Sequence, residues 1–316
     1  MKEKISGWLR PTGKWTDQII VAFFLTIVMM IAGWYLEYYF QLVIPVGRLY
    51  LWLTSSEEVS DFIYEYSANI GIWAVFLLVC FLFKNNRPIL KSITPGKHGN
   101  TLKLALFGVA LGFGSNGLCI LMSVLLGNVR LSFHGFDPVM CIVFVVAVTI
   151  QSGAEELLCR VYLYQKLRRR YKNVLVAMIG NAALFAILHL MNAGITVISV
   201  MEILISGISY SLLVYYYDSP WAAIMSHATW NFTQNILFGL PNSGMEAAYS
   251  FFKSDTASAT NGFFFDTVFG VEGNVGTVMV EAAFMVALIL INRGKKEKRD
   301  LWGDTTENDM EEDDCK

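Results

Sequence analysis

The chain is poor in charge. Only 16% of its 316 residues are Asp, Glu, Lys or Arg, against about a quarter in a soluble domain. With 55% hydrophobic residues and a mean hydropathy of +0.48, this excludes an ordinary soluble domain. Histidine is scarce, with four in all, at 98, 134, 189 and 227. The five Cys, at 80, 119, 141, 159 and 315, include no CxxC pair, which excludes a disulfide framework and a soluble zinc motif. Four of them sit in apolar runs and read as small buried hydrophobes. The first apolar run lacks a convincing small-residue cleavage site, so it reads as a retained span and not a signal peptide. Basic residues gather beside the apolar runs. Topology explains them, and no nucleic-acid role is suggested.

What the chain does have is apolar runs of membrane-spanning length. They predict an all-α, polytopic integral membrane protein. The runs fall at residues 18–40, 68–83, 102–126, 138–170, 174–191, 196–216, 221–240 and 275–291, giving about eight crossings. Charge supports that count. With a cytoplasmic N-terminus, the basic clusters at 2–14, 84–97, 168–172 and 293–299 all face the cytoplasm, and the C-terminus lies there too. The poorly basic loops 41–68, 127–137, 192–195 and 241–273 fall on the other side, while the turn at Asp218 and Pro220 gives no support. Loop 41–68 has room for a short interfacial helix. The patch Phe263–Phe265 reads as one able to dip into the interface, and the acidic tail from Glu307 to Asp314 reads as disordered. Gly108 and Gly112 form a GxxxG pair, the mark of close helix packing. Four segments follow: 1–100 with two spans and their loops, 101–240 with the motif-bearing core, 241–292 with a long loop and the last span, and 293–316 as a charged cytoplasmic tail.

The organising stretch is Pro138–Arg170. Glu155 and Glu156 stand midway along it, and carboxylates inside a span are expensive. Arg160 lies one turn beyond Glu156, so an internal ion pair would lower that cost. Glu155 is rotated by about 100° from Glu156 and needs another partner or a wet cavity. His189 ends the fifth run, and His227 lies in the seventh, four residues before Asn231 on one helix face. His98 and His134 read as solvated loop residues. Three readings fit these polar groups. A satisfied network would lock helices together without chemistry. A transport pathway would use the same ionisable residues. Hydrolysis would use a carboxylate to take a proton from water, a histidine to orient that water or bind a metal, and a histidine with an amide to hold an oxyanion.

Three motifs bear on the choice. Glu155-Glu156-Leu157-Leu158-Cys159-Arg160 is EExxxR, Phe185 to His189 is FxxxH, and His227 to Asn231 is HxxxN. In this order, on separate membrane helices, they resemble the CAAX protease and bacteriocin-processing family of intramembrane proteases. Its eukaryotic relatives are the Ras-converting prenyl-protein endopeptidases. No motif residue departs from the pattern, whereas the first two spans and the tail match only loosely and loop 241–273 is less typical.

The resemblance implies an intramembrane endopeptidase with Glu155 as general base and His189 holding the attacking water. His227 and Asn231 would stabilise the oxyanion, and Glu156 and Arg160 would shape the site. It allows a glutamate-dependent reaction that requires no cofactor. These enzymes are commonly called metalloproteases, and a zinc ion would take Glu155, His189 and His227. HExxH is absent, so the sequence itself adds no support for zinc. Expected partners are the lipid bilayer and a peptide or protein substrate, in CAAX-type processing, bacteriocin maturation or self-immunity, in a bacterial cell membrane. A difficulty stands in the way. If the fifth and seventh spans both start at the cytoplasmic surface, His189 lies about 15 Å deeper than His227 at ~1.5 Å per residue.

Overall fold

A computed structural model of the protein describes residues 8–255 and 257–302. The tail from Glu307 and Cys315 therefore lies outside the described residues. Helices dominate: α1 Ile19–Val43, α2 Val46–Thr54, α3 Glu57–Ser67, α4 Ile70–Leu82, α5 Leu102–Leu125, α6 Pro138–Glu156, α7 Tyr164–Arg170, α8 Val174–Leu188, α9 Val197–Tyr217, α10 Pro220–Asn231 and α11 Val275–Ile291. The starts are written in the sequence. Thr101, Asp137, Asn173, Thr196, Ser219 and Asn274 each accept a backbone N–H of the helix that follows. Such N-caps satisfy donors that have no partner within the helix.

Among the described residues, five stretches are long and apolar enough to cross a membrane: Ile19–Val43, Glu57–Leu82, Leu102–Leu125, Pro138–Arg170 and Val197–Tyr217. Val174–Leu188 and Val275–Ile291 are shorter apolar helices. Loop 41–68 holds two helices, and α3 runs into α4 with only a brief break at Ala68–Asn69. A small antiparallel pair, β1 Leu131–Phe133 with β2 Phe252–Ser254, ties the 127–137 connection to the long loop after α10. That loop does not hang free. Phe264 and Phe265 pack against Trp230, Val129 and Leu240, while Phe263 is half exposed.

The GxxxG pair positions the HxxxN helix. A Cβ on Gly108 would lie 2.2 Å from the Ala222 carbonyl oxygen, and one on Gly112 would lie 2.1 Å from that of Ser226. Without side chains at these points, α5 and α10 touch backbone to backbone one residue before His227. Gly114 and Gly117 have nothing within 4 Å of such an atom. Gly112→Leu is therefore expected to push α10 off α5, lowering the thermal midpoint in detergent and the folded yield. Gly114→Leu should be near silent, and equal midpoints for the two variants would refute this account of the contact.

The basic cluster after the EExxxR motif differs from a solvated flank. Lys166, Arg168 and Arg169 are buried. Asp17 pairs with Lys166 at 3.0 Å and with Arg169 at 2.6 Å. Arg168 pairs with Glu297 and, at 2.8 Å, with Asp300, which also takes Arg10. Desolvating so many cations is tolerable only with carboxylates beside them. The first and last described segments therefore meet at one end of the bundle. His98 is likewise only partly solvated, standing 3.9 Å from Asp218 and 2.9 Å from Arg299 Nη1.

Candidate active site

Glu156 and Arg160 form the expected ion pair, with Nη1 to Oε1 2.9 Å and both side chains fully buried. The guanidinium lies over the Phe185 ring at 4.2 Å and near that of Tyr210 at 5.2 Å. Gly207 on α9 makes room, since a Cβ there would lie 2.9 Å from Arg160 Nη2. The segment Leu157–Leu163, directly after Glu156, is π-helical, and so is Phe232–Leu237, directly after Asn231. Wide turns of this kind recur at functional sites, and here each of these two motif helices carries one at or just beyond its motif.

His227 joins the pair. Its Nδ1 lies 3.0 Å from Glu156 Oε1 and its Nε2 lies 3.8 Å from Glu155 Oε2. The ring stacks on Tyr210 with centroids 5.4 Å apart and meets the edge of Phe185. Glu156 accepts the Nδ1 proton, which directs Nε2 toward Glu155. Glu155 has the partner its rotation required. Gln151, one turn earlier on α6, donates its Nε2–H to Glu155 Oε1 at 2.6 Å. Glu155 Oε2 has no hydrogen bond of its own. Asn231 donates to Gln151 Oε1 at 3.1 Å and to Ser152 Oγ at 3.2 Å. Gln151 thus links the HxxxN amide to the first glutamate.

His189 caps the end of α8. Its Nδ1 is 2.8 Å from the Phe185 carbonyl oxygen. A carbonyl only accepts, so Nδ1 carries the proton and Nε2 offers a lone pair. Helical side chains lean toward the N-terminus, so the ring folds back onto Phe185, with centroids 4.6 Å apart. Phe185 therefore touches both histidine rings, which brings them nearer to each other than the depth gap expected from the spans.

Glu155, His189, His227 and Asn231 all line one cavity of about 660 Å³. The wall also takes Trp34 from α1 and Glu65 and Tyr66 from α3. Loop residues Asn242, Ser243 and Glu272 and the α9 residues Glu202, Ser206 and Tyr210 complete it. Gln151 could have been suspected from its place one turn before Glu155. Tyr210, Glu202 and Glu272 had no motif to mark them. The proposed zinc ligands share this wall, yet among the described residues no three His, Cys, Asp or Glu side chains are grouped to hold a metal ion. The Nδ1–H of His227 is taken by Glu156, so its free nitrogen is Nε2, as it is for His189.

Residues 136–233 match the model of the Rce1-like family, described as type II CAAX prenyl endopeptidase. The match covers less than half of the chain but contains all the residues of the three motifs. The likeness to CAAX proteases read from those motifs is thereby borne out over this segment. On a chain with five apolar helices of spanning length, it supports a membrane protease acting on a peptide or protein. No curated protein and no solved structure matches the chain.

Proposed function

We propose that the protein is a glutamate-dependent intramembrane endopeptidase whose active site is the cavity around Glu155. The observation that carries this reading is the meeting of the three motifs on one cavity wall, with an unbonded carboxylate oxygen of Glu155 between them. Glu155 takes a proton from water, and His189 Nε2 accepts a hydrogen bond from the same water. The water oxygen bonds to the peptide carbonyl carbon. His227 donates Nε2–H to the resulting oxyanion when both its nitrogens carry protons, with the two glutamates beside it as counter-charges. Asn231 turns its amide from Gln151 and Ser152 to the same oxygen. Hydrogen bonds of a free enzyme commonly rearrange in this way when substrate arrives. The C–N bond then breaks, and the proton held by Glu155 passes to the leaving amine. Glu156 and Arg160 touch no reacting atom in this scheme. They hold His227.

Around this core the protein crosses the membrane about eight times with both termini in the cytoplasm. The meeting of Arg10 with Asp300 supports an even number of crossings. CAAX-type processing, bacteriocin maturation and self-immunity are the roles in view, in a bacterial membrane.

The reaction proceeds without a tightly bound metal. Elemental analysis and turnover after exhaustive chelation test this. Zinc at one equivalent, lost with activity and restored with it, would replace the oxyanion role of His227 by a ligand role. Asn231→Ala is expected to slow turnover about 10²- to 10³-fold with unchanged metal content and much smaller change in substrate binding. A large loss confined to binding would remove Asn231 from the oxyanion site.

A further inference from the structure

The cavity has a second polar region that the reaction above does not use. It lies along the face of α9 that carries Glu202, Ser206 and Tyr210. Positions four apart share a helix face, so this face runs from Tyr210, stacked on His227, back to Glu202. Their separation along the helix is about 12 Å at ~1.5 Å per residue. Glu272, from the turn before α11, lines the same cavity as Glu202. It is fixed by Trp230 Nε1 at 2.8 Å and by Ser243 N and Oγ at 2.9 and 2.7 Å. Ser206 Oγ lies 2.8 Å from Glu202 and 3.3 Å from Glu281 on α11. A hydroxyl has one proton, so one of these carboxylates goes without it.

Glu202, Glu272 and Glu281 are each 5% exposed or less. The ion pairs of Lys and Arg among the described residues all go elsewhere. Among the described residues, four glutamates line the cavity, with Glu65 at its exposed mouth, and no Lys or Arg does. A separate observation points to an occupant. Asn242 stands on the same wall, is 4% exposed, and leaves its Oδ1 without a hydrogen bond. The carboxylates of Glu202 and Glu272 have no cation paired with them, and Asn242 Oδ1 has no donor. The group that answers such a wall carries positive charge and several N–H donors, as an ammonium or guanidinium does.

We propose that Glu202, Glu272 and Asn242 form a subsite for a lysine or arginine side chain of the peptide substrate, a proposal that rests on the peptidase reading above. At ~3.3 Å per extended residue, the 12 Å along α9 place the basic residue about three or four positions from the scissile bond. Glu65 at the mouth would draw such a peptide inward.

The test uses purified full-length protein and a peptide library in which each position in turn is lysine, norleucine or glutamate. New termini are read with wild-type protein, and equilibrium enrichment of bound peptides is read with Glu155→Gln. At one position lysine should exceed norleucine by about tenfold or more, as expected for a hydrogen-bonded charge, with glutamate disfavoured. That ratio should fall toward one in Glu202→Gln, return in Glu202→Asp, and shrink in Asn242→Ala. Each ratio is internal to one preparation, so partial misfolding does not move it. A ratio near one in wild-type protein, or one unchanged in Glu202→Gln, overturns the subsite. Cleavage without lysine preference removes the subsite and leaves the peptidase. Lysine-selective binding without any cleavage does the reverse.

Discussion

Replacing Glu155 by Gln is expected to abolish peptide cleavage while the protein still accumulates in the membrane. The substitution keeps the size and shape of the side chain. The glutamine carbonyl oxygen can still accept the 2.6 Å hydrogen bond that Gln151 donates to Glu155. What it removes is basicity, and an amide cannot take a proton from water. General base catalysis is worth about 10²- to 10⁴-fold, so turnover should fall at least that far. The side chain is 26% exposed and joins no short ion pair, the His227 Nε2 contact being 3.8 Å. Stability should therefore change little. The measurements are the amount of folded protein in the membrane fraction and the appearance of new peptide termini. Full proteolysis of a validated substrate by this variant would sink the assignment. The same variant separates the transport reading: solute or ion flux in proteoliposomes that depends on Glu155, with no new termini, would favour a transporter.

Arg160→Met should have the opposite signature, losing the fold before the chemistry. Arg160 and Glu156 are wholly buried and pair at 2.9 Å. Removing one partner of such a pair typically costs about 3–5 kcal/mol, because the other charge stays behind without compensation. Here the stranded group is Glu156, which still faces His227 at 3.0 Å. The variant also forfeits the guanidinium contact with the Phe185 ring, a cation–π interaction worth about 2 kcal/mol when desolvated. Folded yield in detergent should drop sharply. The double variant Glu156→Gln with Arg160→Met should recover part of it, since it buries no unpaired charge. It should remain poorly active, because a neutral amide in place of the Glu156 carboxylate no longer holds His227 Nδ1 as an anion does. If the double variant proves less stable than Arg160→Met alone, the pair is not the unit described.

The sequence was most informative where the physics is local. Hydropathy over about 20 residues marks a span wherever the chain later goes, and α1, α5, α9 and α11 begin and end within a few residues of the runs read from composition. The four-residue spacing of Glu156 with Arg160 fixes a shared face in any helix, and the pair is there. Gly108 and Gly112 announced a close contact without naming its partner, which is α10. Distant contacts left less trace. Arg168 and Arg169 read only as part of a cytoplasmic basic cluster, because nothing in their neighbourhood reveals Asp17 or Glu297, more than a hundred residues away. The loop after α10 read as a polar connection, yet it brings Asn242 and Glu272 to the cavity wall.

The sequence by itself determined that the chain is a helical membrane protein and placed the residues of three motifs on three of its apolar runs. Composition and periodicity are properties of short stretches and survive any arrangement of the rest. The tertiary structure alone decided that His189 and His227 meet across Phe185, that Gln151 ties Asn231 to Glu155, and that a wall of glutamates faces the site. Those contacts depend on how far each helix tilts and how closely it packs, which the exposed face of a neighbour sets and no single helix encodes.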